Sequence, residues 1–149
     1  MAYDIQVAVD ATQPHALADW WAQALGWEVE PQDPAFIRRM IAEGYATEDD
    51  TTTHHGALVW RLGAAIRHPD SVEAGGTQAG RSRVLFQEVP EAKTVKNRVH
   101  LDVRAEPGTA EAEVARLIAS GATELYRGQQ GPQGWVTMAD PEGNEFCVT

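Results

Sequence analysis

One order of elements can be read twice along this chain, and a recurring supersecondary unit restricts the fold more than any single segment does. Near the start, Ile5, Val7 and Val9 alternate with Gln6 and Ala8, the period of a half-buried strand. Pro14 suits a helix's first turn. Leu17, Trp20, Trp21, Ala24 and Leu25 then recur at helical spacing, and Gly26 is placed to stop that helix. Trp27-Glu28-Val29-Glu30 resumes a strand pattern. From Val99 the order returns: Val99, Leu101 and Val103 alternate with His100 and Asp102. Thr109 can cap a helix carrying Val114, Leu117 and Ile118, and Gly121 can end it. Thr123 to Tyr126, Trp135 to Met138 and Asn144 to Val148 read as three strands. The Asp140-Pro141-Glu142-Gly143-Asn144 run is a tight turn in which Gly143 or Asn144 takes a positive φ.

The two halves align with Gln6-Val7-Ala8-Val9 over His100-Leu101-Asp102-Val103, and Leu85-Phe86-Gln87 over Glu145-Phe146-Cys147. A single body over residues 1–149 is expected, with a first module at about 1–92 and a second at about 97–149. Residues of about 31–82 read as an irregular insertion. Phe36, Ile37, Met40 and Ile41 suggest a short amphipathic helix there, Tyr45 to His55 is a polar run, and Glu73 to Gly80 is a Gly-rich surface loop. Ala57 to Trp60 and Ala64 to Arg67 form either a hairpin or two strands of the first module.

Bulk properties remove several function classes. The formal charge is −10, from 22 acidic and 12 basic side chains, so nucleic acid and anionic membranes are repelled at long range. No apolar run approaches the roughly 20 residues that span a bilayer, and the expected setting is cytoplasmic. Cys147, the single cysteine, excludes an intrachain disulfide and an all-thiolate zinc cage. Gly-x-Ser-x-Gly, phosphate-loop and His-Glu-x-x-His motifs are absent.

Three segments carry a family resemblance. Phe86-Gln87-Glu88-Val89-Pro90 through Arg98-Val99-His100-Leu101-Asp102 resembles the central signature of glyoxalase-like domains. Asp140-Pro141-Glu142-Gly143-Asn144-Glu145-Phe146-Cys147-Val148 is similar to their closing turn and strand, and Ala18-Asp19-Trp20-Trp21 through Gly26-Trp27 to their first helix. The resemblance, to the vicinal oxygen chelate (glyoxalase, bleomycin resistance, dioxygenase) superfamily, implies an α+β fold of two βαβββ modules in tandem that enclose a shared cavity. It also implies a small organic molecule as ligand, aromatic compounds included, and a homodimer.

The resemblance further implies a metal site of four positions, which the repeat places at Gln6, Gln87, His100 and Cys147. Two neutral amides, one imidazole and a thiol depart from the carboxylate-bearing pattern of metal-dependent relatives, so zinc, nickel, iron or manganese and no metal at all are both open. Glu145 lies two residues from Cys147 and shares its sheet face. It is a candidate general base or substitute ligand, a role that needs a raised pKa, or else a structural acceptor for the 140–143 turn or the Lys96-Asn97-Arg98 segment. His100 is a candidate ligand or base against the alternative of a cavity-wall hydrogen-bonder. Trp60 and Trp135 are candidates for binding a planar ligand, whereas Trp20, Trp21 and Trp27 read as core. His54-His55 reads as a solvated loop, with a lid over the cavity as its alternative; His15 and His68 carry no assigned chemistry. Three functions follow as expectations: a lyase, isomerase or dioxygenase with a degenerate metal site, a metal-free protein that sequesters an aromatic or antibiotic-like compound, and an accessory interaction module.

Overall fold

A computed structural model describes residues 5–71 and 82–149. They form two compact units, one ending at Pro90 and the other running from Glu91 to Thr149. The Gly-rich stretch expected at Glu73 to Gly80 lies outside the described residues. No helix among those described is long and apolar enough to cross a membrane.

The first unit contains β1 (Val7–Ala11), α1 (Pro14–Leu25), β2 (Glu28–Val29), α2 (Pro34–Ala42), β3 (Thr51–His54), β4 (Ala57–Trp60), β5 (Gly63–Arg67) and β6 (Arg83–Glu88). Its sheet has the order β1-β6-β5-β2, with β1 parallel to β6 and the other pairs antiparallel. The helix α1 begins at Pro14 and ends where Gly26 takes φ 66°, a left-handed conformation that a residue without Cβ adopts cheaply. It packs on β5 and β6, and Leu17, Ala18 and Trp21 are buried, as are Ile66, Val84 and Phe86 on one face of the sheet. The Trp20 and Trp21 rings meet edge-on with centroids 5.1 Å apart, which confirms the core reading of both.

The second unit contains β7 (Asp102–Val103), α3 (Ala110–Ala119), β8 (Thr123–Gln130), β9 (Gln133–Ala139) and β10 (Glu145–Val148). Its order, β7-β10-β9-β8, repeats that of the first sheet, with first and last strands parallel. Val114 and Leu117 of α3 are buried, and so are Val136, Met138, Phe146 and Val148 on one face of this sheet. The turn between β9 and β10 is held by Asp140, whose Oδ1 accepts from the Glu142 and Asn144 amides at 2.9 Å while Gly143 takes φ 90°. Each unit is thus a βαβββ module.

Three expectations are corrected. Residues 31–82 are not an irregular insertion throughout, because Gly63–Arg67 is the third strand of the first module's sheet. The true addition is α2, a short 3-10 turn at Glu48–Asp50 and a separate two-stranded sheet in which β3 pairs with β4. The polar run Tyr45 to His55 therefore contains a strand, Thr51–His54, whose partner is Ala57–Trp60. Finally, Ile5 and Val99 are 78% and 81% exposed, so neither belongs to the half-buried alternation read around it, and β7 is only two residues long. Two residues give too short a ladder to bury a flanking side chain.

Candidate functional site

In each sheet the face away from the buried row is the one that carries polar chemistry, because alternate residues of a strand point to opposite sides. On the first sheet, Arg83, Leu85 and Gln87 of β6 lie beside Gly63 and Ala65 of β5. Together with Gln32, Trp60 and Leu62 they line a concave pocket of about 340 Å³. The Arg83 guanidinium is held on three sides: Nε and Nη2 donate to Glu30 Oε1 and Oε2 at 2.8 and 2.9 Å, and Nη1 donates to Gln6 Oε1 at 2.6 Å. That bidentate pairing leaves a locally neutral polar corner. Gln32 ties the added hairpin to the sheet, accepting from the Trp60 amide at 2.7 Å and donating to Gly63 O at 3.0 Å, which sets the indole at the pocket wall.

On the second sheet, β7 and β10 run parallel with Cys147 opposite Asp102. His100 Nε2 is 3.3 Å from Asp102 Oδ1, and the ligand atoms of His100, Asp102 and Cys147 all lie within 4.8 Å of one another. Cys147 is buried, with its sulfur 3.5 Å from the hydroxyl of Thr137 across the β9 ladder. Trp135, two residues before Thr137, is half-buried on this face, and Gly128 opposite it leaves the room its ring occupies.

Glu145 is a half-buried carboxylate at the start of β10. Burial alone pushes its pKa up, but the Asn97 amide at 2.9 Å and the Lys93 ammonium at 3.0 Å outweigh it and hold the group down at about 2. A general base needs the opposite shift, and the bonds from Lys93 and Asn97 are those of a structural acceptor. The carboxylate straps the Lys93 to Asn97 segment to β10, and Asn97 is part of the stretch expected to receive it.

The sequence profile of the glyoxalase-like domain family matches residues 6–149. The chain belongs to the glyoxalase-like domain family. Solved structures agree on the fold. The fosfomycin resistance protein FosX from Mesorhizobium loti superposes with a TM-score of 0.62 at 6% identity, covering 99% of this chain and 90% of that one. A glyoxalase/bleomycin resistance protein/dioxygenase family enzyme from Burkholderia phytofirmans gives 0.55 at 15% identity, over 96% and 94%. A Bacillus cereus protein described as a possible glyoxalase gives 0.58 at 12%, over 97% and 95%. No curated protein matches.

Within this glyoxalase-like chain the expected metal ligands fall apart by register. The β1 residue paired with Gln87 is Asp10, whereas Gln6 lies just before Val7, which pairs with Val84. Gln6 and Gln87 are thus four residues out of step, about 13 Å along the strands, and Gln6 is engaged by Arg83. His100 and Cys147 do come together, joined by Asp102, which the sequence reading passed over. The signal was present in the alternation read at Val99 to Val103, which puts His100 and Asp102 on one face. Arg83, Glu30, Gln32 and Thr137 were also missed; their partners are distant in sequence, and no local pattern marks them. An imidazole, a carboxylate and a thiol suit a borderline ion such as zinc better than a hard oxygen-seeking one. The residues present on this sheet therefore fit the metal that such proteins often hold.

Proposed function

We propose that this glyoxalase-like protein binds a small planar organic molecule against the open face of its first sheet. The pocket there carries the reading: its volume falls in the range of small-molecule sites, and it combines apolar walls with a few fixed polar groups. Trp60 offers a flat surface, Leu62, Leu85 and Ala65 an apolar floor, and the Gln87 side chain an amide for hydrogen bonding. Arg83 is already neutralised by Glu30, which favours a neutral polar head on the ligand over an anion. This is the sequestering kind of function, and it needs no general base.

The test is a titration with 2-naphthol, an aromatic body with one hydroxyl, followed by amide NMR shifts. Saturable shifts clustered on Trp60, Gln87 and Arg83, with binding weakened at least about tenfold in Trp60→Ala, are the expected outcome. Equal affinity in wild type and Trp60→Ala would sink the reading.

A second reading, metal-assisted chemistry of the lyase, isomerase or dioxygenase kind, is favoured by the His100, Asp102 and Cys147 grouping. A bound ion there would supply Lewis acidity toward a carbonyl, enolate or catecholate oxygen. Metal in untagged protein that falls by one equivalent in His100→Ala would favour it over sequestration. Pairing as a symmetric homodimer is also proposed, supported by the exposed Val95, Val99 and Leu125. Light scattering that gives a monomer mass at micromolar concentration would refute it.

A further inference from the structure

The histidines of the added hairpin belong to none of the chemistry above, and although His55 is largely exposed both rings are engaged by one carboxylate of α1. His54 ends β3, His55 and Gly56 form the two-residue turn, and Ala57 begins β4. Both turn residues have positive φ, 48° for His55 and 78° for Gly56, the type I′ geometry that asparagine and glycine favour. A ring-bearing residue is strained there, and such strain persists only where surrounding contacts impose it.

Those contacts come from α1. Both His54 Nε2 and His55 Nε2 lie 2.7 Å from the same oxygen, Oδ2 of Asp19, and the two rings are 4.0 Å apart between centroids. Four residues earlier on the same helix face, His15 brings its ring to 5.0 Å from that of His54 while its Nε2 is bonded to Trp60 O at 2.8 Å. The ligand atoms of Asp19, His54 and His55 all lie within 4.8 Å of one another.

We infer that Asp19, His54 and His55 form a divalent transition-metal site that clasps the β3–β4 hairpin to α1. Two imidazole nitrogens and one carboxylate oxygen are borderline ligands suited to zinc-like ions. In a tetrahedral site with bonds of 2.0–2.1 Å, ligand atoms stand roughly 3.3 Å apart, so each 2.7 Å nitrogen–carboxylate distance needs to open by only about 0.6 Å. The Asp19 and His54 side chains are about one-third and one-quarter exposed and His55 is largely exposed, which leaves a fourth position for water. Because His15 and Gln32 hold the Trp60 backbone on the same hairpin, an ion here would stiffen the strand that carries that indole.

The test is a Co²⁺ titration of untagged, chelator-stripped full-length protein in a His100→Ala/Cys147→Ser background, read by visible absorption and reversed with Zn²⁺. One equivalent should bind with d–d bands and no thiolate charge-transfer band, and Zn²⁺ should raise the melting temperature. His55→Asn keeps a residue that the turn favours, and Asp19→Asn keeps the shape of the carboxylate. Each should weaken Co²⁺ binding at least about tenfold while the circular dichroism stays that of the parent. Binding unchanged by both variants, or no binding up to millimolar Co²⁺, would overturn the inference.

Discussion

The two modules share one strand order, yet their open faces carry different chemistry. In the parallel ladder of the first sheet Asp10 stands beside Gln87; in that of the second, Asp102 stands beside Cys147. The first face also holds a neutralised cation, Arg83 on Glu30, and a pocket walled by the added hairpin. The second holds an imidazole, carboxylate and thiol group, and its half-buried Glu145 is committed to a loop. Topology is thus indifferent to chemistry: one strand order repeated in tandem carries a pocket with a neutralised cation in one module and an imidazole, carboxylate and thiol cluster in the other, decided by which residues occupy a few strand positions.

The comparison is sharpened most by emptying the cores. Phe86 and Phe146 are each 1% exposed, one in each module, so Phe86→Ala and Phe146→Ala should each cost about 3–5 kcal/mol in urea unfolding. A cost below 1 kcal/mol for either would show that its module does not rely on its own core.

Next, Glu145→Gln should cost about 1.5–3 kcal/mol near neutral pH, because charge-assisted hydrogen bonds from Lys93 and Asn97 are lost. The folded pKa of about 2 lies below the ordinary glutamate value of 4.5, so the wild-type advantage is full above about pH 5 and disappears as pH falls toward 2. An advantage independent of pH would break the strap assignment. Gly128→Ala would drive a Cβ into the Trp135 ring, for about 1–2 kcal/mol and a shifted indole emission. The smallest effect is expected in the first module, where Arg83→Met removes a partly exposed ion pair worth about 0.5–1 kcal/mol. It should nevertheless alter 2-naphthol binding measurably, because Glu30 and Gln6 lose the group that orients them.

Much of the fold was legible in the chain because it is written in local terms. Pro14 and Gly26 bracket α1, Gly143 supplies the positive φ of the last turn, and the apolar spacing of Val114 and Leu117 marks the buried side of α3. The site was less legible. The internal repeat sets Gln6 over His100, but the ladder pairs Asp10 with Gln87 as it pairs Asp102 with Cys147, a slip of two residues. A shift of two keeps every side chain on its expected face, so the pattern of apolar and polar residues contains nothing that would betray it.

By itself, then, the sequence determined the order β, α, β at the start and β, α, β, β, β in the second half, the proline and glycine that bracket α1, the glycine of the last turn, and that Glu145 and Cys147 share a sheet face. Helix-bracketing proline and glycine, turn glycines and alternation act over a few residues and leave a mark that can be read, whereas the side chain of Thr109, expected as a cap, bonds back to Glu106 O. Only the tertiary structure decided that Arg83 is spent on Glu30, that Glu145 is held ionised by Lys93 and Asn97, and that His54 and His55 converge on Asp19. Those outcomes depend on strand register and on the docking of a hairpin against a helix, contacts between residues 35 to 53 positions apart for Asp19, Arg83 and Glu145, which no local periodicity encodes.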